Sequence, residues 1–366
     1  MMLQLLRAGR SAPPRLTAID LHEVEALMRQ HSVGDHADFL GAVVCEHLET
    51  GGKRIRARLA LAAAQALGVS TSSAAPWAAA VELLHNATLV HDDLQDGDRT
   101  RRGRPTTWAV HGMAQAINCG DLMLMLPMAL AAEVPVSEAV RFRLMTTLAR
   151  RAAATVRGQA ADILLRATVD CGDPVDAYLR CIEGKTGELF ALPVQGAVLM
   201  AGGDVDEASA VAEPFFVLGT LFQLQDDVVD LFGDKGREAR GADVREGKIS
   251  ALVVEHLRLH PQERGWLLRV LDTDRDTTAD DDVAAVIDRF ERGGALAAVL
   301  RRIEMLATRA HNAPALSSSP ELHQLVLELI GLVLKPIQHL FAHVDDDSEA
   351  SGTRTGFSSS AAQVDA

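Results

Sequence analysis

Aromatic side chains are scarce in this sequence: they make up 4% of 366 residues, whereas 48% are hydrophobic. Ala, Leu and Val must therefore fill the interior, which favours close-packed helices over sheets rich in Val, Tyr and Phe. Excess positive charge is also lacking. A net charge of −14 argues against nucleic acid as a partner, since affinity for a phosphate backbone is built from Lys and Arg. The cysteines Cys45, Cys119, Cys171 and Cys181 show no CxxC spacing, so neither a zinc site nor a disulfide framework is indicated. A reduced, cytoplasmic protein is the default expectation. No apolar run reaches the roughly 18 to 20 residues that span a bilayer. The apolar part of the first seven residues is too short for a secretory signal.

What the chain does have is a pair of aspartate clusters of one form. His91 is followed by Asp92-Asp93-Leu94-Gln95-Asp96, and Gln225 by Asp226-Asp227-Val228-Val229-Asp230. Both read DDxxD and both end apolar stretches with a helical pattern. Residues i and i+4 share a helix face, so Asp92 pairs with Asp96, and Asp226 with Asp230. Six carboxylates at the ends of two buried helices would repel one another without cations. Oxygen-only clusters suit Mg²⁺, which binds through a few carboxylates, retained waters and substrate phosphates. The expectation is a metal-bridged diphosphate site.

The organisation around these clusters is helical. Residues 1–18, with Pro13-Pro14, read as a loose N-terminus, and a helical period runs from about Leu21 to about His343, giving one domain over 19–343. The Asp/Ser/Gly/Thr-rich tail, 344–366, reads as disordered. Breaks fall at Gly51-Gly52, Gly97 to Pro105, Asp170 to Pro174, Gly202-Gly203, Gly233 to Gly247 and Thr273 to Asp281. Long helices between short Gly/Pro/Asp breaks predict an all-α fold, a single large bundle around a central cavity.

Basic residues flank the first cluster. The loop after Asp96 carries Arg99, Arg101, Arg102 and Arg104. Arginine forks grip phosphate oxygens bidentately, so this loop suits a diphosphate held by carboxylate-bound metal on its other side. Upstream stands Gly51-Gly52-Lys53-Arg54-Ile55-Arg56-Ala57-Arg58. Alone this is an ordinary helix end followed by a solvated basic helix start. Beside the arginine loop it becomes a second phosphate-binding candidate.

Together GGKRIR, HDDLQD with RRGRPT, GKTGELF, FQLQDDVVDLFGD and GADVREGKIS resemble the trans-isoprenyl (polyprenyl) diphosphate synthase family, from about Leu40 to Leu257. The resemblance implies an isoprenoid-synthase bundle and a prenyltransferase. An allylic diphosphate (dimethylallyl, geranyl or farnesyl) ionises between the clusters with Mg²⁺, three ions per site, for which Mn²⁺ can substitute. Isopentenyl diphosphate then attacks the cation and a proton is lost. Asp92, Asp96 and Asp226 match direct metal ligands, with Asp93, Asp227 and Asp230 completing the ligand set or its support. Lys53, Arg56, His85 and Arg102 match the isopentenyl diphosphate site, and Phe222 lines it. Arg101, Lys185 and Lys248 match groups gripping the allylic diphosphate, and Thr186 and Gln223 match polar groups that steady the cation or leaving group. His85 lies two helical turns before Asp92, on a stripe shared with Thr88 and Asp96.

Departures are few. The usual loop lysine has no clear counterpart, leaving Lys235, Arg237 or Arg240 as substitutes, and Ser250 stands where Thr is usual. Ala87 and Thr88, just below Asp92, are small where farnesyl-making relatives carry aromatics, so a C20 product or longer is expected over C15. Met123, Met125 or Phe142 would then set the cavity floor. A homodimer is implied by the resemblance, with Met113 to Ala132 and Ala139 to Ala160 as interface candidates. A class I terpene cyclase would carry a different second motif, and a non-catalytic subunit an eroded cluster; here both DDxxD motifs are intact.

Overall fold

Short polar residues start most of the long helices. Asp38, Ser70, Ser137, Asp173, Asp204, Ser250 and Ser319 each accept a hydrogen bond from a first-turn backbone N–H, satisfying donors that the helix itself leaves open. The computed structural model describes residues 15–33, 38–169, 172–233 and 240–341. In chain order the helices are α1 (Arg15–Ala18), α2 (His22–Val33), α3 (Phe39–Leu48), α4 (Ile55–Ala66), α5 (Thr71–Gln95), α6 (Thr107–His111), α7 (Met113–Glu133) and α8 (Glu138–Thr168). Then come α9 (Pro174–Ile182), a π turn (Glu183–Gly187), α10 (Glu188–Met200), α11 (Val205–Phe232), α12 (Ala242–Arg245) and α13 (Ala251–Leu259). The remainder is α14 (Arg264–Leu271), α15 (Asp280–Arg292), α16 (Ala295–His311) and α17 (Pro320–Leu334), with 3₁₀ segments at Pro261–Glu263, Pro314–Leu316 and Lys335–Leu340. The fold is all-α, as the composition predicts. Among the described residues one element departs from it: Thr100–Arg101 and Arg104–Pro105 pair as a small antiparallel ladder inside the arginine loop.

Small side chains let the central helices approach closely. α10 packs against α4, α5, α8 and α11, and α5 packs on α7. Trp77 is fully buried and donates its indole N–H to the Pro193 carbonyl at 3.1 Å, in a place left open by Gly196. α5 and α11 carry the two DDxxD motifs at their C-terminal ends, and α10 lies between them.

Two sequence expectations need correction. Residues 15–18, read as loose, form α1: Leu16 is completely buried and its N–H donates to Glu328 Oε1 at 2.9 Å. Apolar burial and a satisfied backbone donor hold this turn on the bundle. Residues 1–14 and 342–366, including the predicted tail, lie outside the described residues. Met113–Glu133 is long and apolar enough by length and composition to cross a membrane, contrary to the expectation of no such run. It packs its Ala116, Cys119, Gly120 and Met123 side into the core, as a bundle helix does.

Candidate active site

Glycine contacts place the Lys185-Thr186 pair. An interior helix glycine costs about 1 kcal/mol relative to alanine, so Gly158 within α8 calls for a packing reason. That reason is close approach: a Cβ at Gly158 would collide with the backbone of Gly184 and Lys185. On the other side, a Cβ at Gly219 of α11 would stand 2.8 Å from Gly187 Cα. The π turn is thus wedged between α8 and α11, an irregularity of the kind that concentrates at functional positions.

The wedge brings Lys185 Nζ to 3.1 Å from Asp162 Oδ2 and 3.7 Å from Asp92 Oδ2. Burial pushes the Asp92 carboxyl up to about 6, with Lys185 opposing and Asp96 adding to the rise. Burial raises Asp96 too, against the pull of Lys185 and Lys248. Lys248 lies 2.6 Å from Glu246 and 3.7 Å from Asp243. Although burial opposes its charge, these carboxylates hold its ammonium pKa up. A cavity of about 240 Å³ opens here, lined by Asp96, Asp162, Lys185, Gln223, Asp226 and Lys248 among others.

The six motif aspartates divide into two groups. Asp92, Asp96 and Asp226 stand at or beside the cavity, with Asp226 exposed, and Asp227 reaches the same cavity from a buried position. Asp93, Asp227 and Asp230 are buried and already engaged. Asp93 Oδ1 receives Arg101 Nε at 2.7 Å. Asp227 accepts the Tyr178 hydroxyl and the Ala251 N–H at 2.6 Å each, and Gln223 Nε2 at 3.2 Å. Burial nonetheless raises its carboxyl to about 6. Asp230 accepts the Asp243 N–H at 3.1 Å, because the chain from Gly241 onward lies over the end of α11. Asp93, Asp227 and Asp230 thus already hold protein partners before any ion is bound. The helical i, i+4 rule placed Asp230 beside Asp226 but carried no information about the segment that covers it.

Oxygen donors suit a hard divalent cation. Among the described residues no three His, Cys, Asp or Glu groups converge as a ready-made cage. The carboxylates of Asp92, Asp96 and Asp226 are donors of the kind that bind such an ion together with waters and substrate phosphates.

A second cavity, about 500 Å³, is lined by Lys53, Phe190, Phe222 and Asp226 among others, so the two cavities meet at Asp226. Phe190 and Phe222 pack with centroids 5.5 Å apart, and the Arg56 guanidinium lies 5.1 Å from the Phe190 ring centre. Burial lowers Arg56 to about 10. His85 lies among Arg56, Arg102, Arg101 and Arg54, and burial with these cations pulls its pKa well below the usual imidazole value, so the ring is neutral. Its Nδ1 is buried without a partner. Arg102, in the left-handed region at φ 54°, donates to the Gly51 carbonyl and thereby ties the arginine loop to the glycine pair. Thr186 donates to Gln223 Oε1 at 3.2 Å, which joins the Lys185 side to the Asp227 network.

Known proteins resemble this chain over most of its length. The polyprenyl synthetase family model matches residues 38–290. The (2E,6E)-farnesyl diphosphate synthase of Mycobacterium tuberculosis is 36% identical over 260 residues, covering 66% of this chain and 68% of that protein. A geranylgeranyl diphosphate synthase of the same organism is 36% identical over 255 residues, covering 68% and 71%. Polyprenyl synthase from Caulobacter crescentus CB15, solved in complex with calcium and isoprenyl diphosphate, superposes with a TM-score of 0.74 at 27% identity, covering 91% of this chain and 97% of that one. The chain belongs to the polyprenyl synthetase family, the trans-isoprenyl diphosphate synthases.

Enzymes of this family are prenyltransferases that generally use a divalent metal. Within this synthase the structure adds residues that motif reading missed. Asp162 bonds Lys185, and Tyr178 bonds Asp227; neither sits in a DDxxD motif. The signal for Asp162 was the helix glycine, Gly158, four residues earlier. Ser250 caps α13, accepting from Val253 N–H at 3.5 Å, so the hydroxyl that replaces Thr keeps a structural use. Of the loop-lysine substitutes, Lys235 and Arg237 lie outside the described residues, and Arg240 is exposed. Ala87 is fully buried, and Thr88, half-buried, donates to the His85 carbonyl. Met123 is buried, but Met125 (65% exposed) and Phe142 (72% exposed) point away from the chain's own interior. They are not a cavity floor within one chain, because α7 and α8 turn those faces outward.

Proposed function

We propose that this synthase condenses isopentenyl diphosphate with an allylic diphosphate (dimethylallyl, geranyl or farnesyl) to give an all-trans product of C20 or longer. The observation that supports it is the junction of two unlike cavities at Asp226. One is rimmed by carboxylates and lysines, the other by Lys53 and two phenylalanines. A terpene cyclase has no need of the second.

Asp92, Asp96 and Asp226 would hold the divalent ions, Mg²⁺ in a set of three, with Mn²⁺ able to replace it. The bound metal supplies Lewis-acid charge that makes the diphosphate a better leaving group. Lys185 and Lys248 add fixed positive charge on the allylic side, with Arg101 behind Asp93. Lys53, Arg56, Arg102 and neutral His85 orient isopentenyl diphosphate for attack. Thr186 and Gln223 present oxygen dipoles towards the allylic carbon, and Phe190 with Phe222 exclude water that would quench the cation.

We infer a homodimer as well. Its support is the exposed apolar set on α7 and α8: Met113, Ile117, Met125, Phe142 and Val156. A single domain that begins with α1 and a reducing, cytoplasmic setting for the free thiols Cys45, Cys119 and Cys181 belong to the same proposal. The test is substrate consumption. Labelled isopentenyl diphosphate should be consumed only when an allylic partner and Mg²⁺ are both present. Release of diphosphate from the allylic substrate without incorporation of isopentenyl label would refute condensation.

A further inference from the structure

Arg58 closes the basic run that begins at Lys53 and lines the 500 Å³ cavity with Lys53 and Asp226, yet its guanidinium is taken up by backbone carbonyls. Its Nε donates to the Lys53 carbonyl at 3.0 Å. One terminal nitrogen donates to the carbonyls of Leu16 at 3.1 Å, Thr17 at 3.2 Å and Ile19 at 2.7 Å. The carbonyls of Leu16 and Thr17 end the one-turn helix α1, which leaves them without helical partners. A planar guanidinium can serve several such acceptors at once, which a lysine ammonium does less well.

The same segment is held from the opposite end of the chain. Leu16 N–H donates to Glu328 Oε1 of α17 at 2.9 Å, and Glu328 is 7% exposed. Thr17 lines the 500 Å³ cavity together with Lys53, Phe222 and Asp226. Segment 16–19 therefore brings Thr17 to the wall of that cavity and is clamped by Arg58 on α4 and Glu328 on α17. Arg58 joins this wall to the backbone of Lys53.

We propose that Arg58 is a positioning residue for the isopentenyl diphosphate site. It holds segment 16–19 against the cavity and fixes the Lys53 backbone, so that the Lys53 ammonium meets the diphosphate pre-placed. Arg58 does not itself bind phosphate. This rests on the assignment of the second cavity to isopentenyl diphosphate.

The experiment uses the full chain with Mg²⁺ and compares wild type with Arg58→Met, Arg58→Lys, Glu328→Leu and the Arg58→Met/Glu328→Leu double variant. Losing the shared charge-assisted hydrogen bonds should raise KM for isopentenyl diphosphate about tenfold, with allylic KM and kcat changed less than about threefold. Arg58→Lys should fail to restore it, because the fork and not the charge is used. In substrate-free protein, amide deuterium exchange over residues 16–19 should quicken in Arg58→Met and in Glu328→Leu. The double variant should shift KM by less than the product of the single shifts, since both clamps hold one segment. Wild-type KM in Arg58→Lys, or a KM rise without faster exchange at 16–19, would make Arg58 a phosphate ligand and overturn the proposal. Faster exchange with unchanged KM would overturn it too. Were the wild type to consume no isopentenyl diphosphate, the functional reading would fall with it, whereas unchanged exchange at 16–19 in both single variants would break the clamp alone.

Discussion

Tyr178 donates its hydroxyl to Asp227 Oδ2 at 2.6 Å, in a fully buried contact between α9 and the second DDxxD motif. Asp227 in turn accepts from Gln223, whose carbonyl oxygen takes the Thr186 hydroxyl. The amide of Gln223 is thereby oriented by its neighbours on both sides. Tyr178→Phe removes one support while keeping the ring. Stability should fall by about 1 kcal/mol, and kcat by roughly tenfold with both KM values little changed. The lost donor had favoured the Asp227 carboxylate, so the acid limb of the rate profile should move to higher pH. Urea titration and a pH–rate series check this, and an unchanged kcat would remove Tyr178 from the network's function.

The division of the aspartates predicts two kinds of variant. Asp92→Ala and Asp226→Ala should each lower turnover at least about a hundredfold, because they remove charge stabilisation used at ionisation. Chelator should abolish activity, and Mg²⁺ or Mn²⁺ should restore it. Asp93→Ala should instead cost about 3 kcal/mol of stability, since it leaves Arg101 without its buried partner. Turnover and thermal unfolding measured on all three separate the classes. Near-normal rates in both Asp92→Ala and Asp226→Ala would remove the metal assignment.

The raised Asp92 carboxyl gives a pH signature. Its ordinary value is 3.8 and its folded value about 6, so the native state holds this proton more tightly than the unfolded chain. The advantage is present below 3.8 and is lost as pH rises through about 6. Above that, unliganded protein carries the cost of a buried carboxylate, about 3 kcal/mol. Asp92→Asn should therefore raise the melting temperature at pH 7.5, barely change it near pH 4, and abolish turnover. Comparing variant with wild type cancels the opposing contributions of neutral His47 and His85, whose pKa values are lowered by burial. An equal shift at both pH values would show that Asp92 does not titrate in this window.

Helix ends at Gly51-Gly52, Gly202-Gly203 and Gly233 were legible because glycine and capping residues act locally. The breaks at Val134 to Ser137, Pro261 and Gly294 follow the same chemistry but interrupt apolar periodicity too briefly to stand out. The DDxxD motifs were legible as chemistry, and the resemblance set Asp92, Asp96 and Asp226 apart, but the protein partners of the other three carboxylates were not legible. Asp230 is turned to structural use by Asp243, thirteen residues later, and Asp93 by Arg101. The π turn at Lys185 depends on glycine pairs from three elements, a tertiary fact with no local signature. Leu16 likewise becomes ordered through Glu328, 312 residues away.

The two phosphate pockets should separate kinetically. Lys53→Ala or Arg56→Ala should raise KM for isopentenyl diphosphate about tenfold more than KM for the allylic partner, as expected for loss of a phosphate contact at one site. Arg101 requires a gentler change because it also neutralises Asp93. Arg101→Lys should raise the allylic KM selectively while leaving the fold intact. Initial rates over a grid of both substrates measure this, and equal effects on the two substrates would contradict the pocket assignment.

Product length turns on the helix below Asp92. Thr88 and Ala87 sit four and five residues earlier on α5, about 6 and 7.5 Å deeper along its axis. Neither is large enough to stop a chain growing past them, so farnesyl diphosphate with excess isopentenyl diphosphate should give C20 or longer. Thr88→Phe should shorten the product, because the ring would fill the path of the growing tail. Thr88 is half-buried, so the change is tolerable, whereas Ala87→Phe forces a ring into a fully buried position. Such overpacking costs about 1–3 kcal/mol and should show as a lower melting temperature. Ionisation should survive in Thr88→Phe, since Asp92 and Lys185 are untouched one turn above. Mass analysis of the dephosphorylated products decides it. A wild type that stops at C15 would place the floor above Thr88, and a Thr88→Phe product of unchanged length would take the tail down another face of α5.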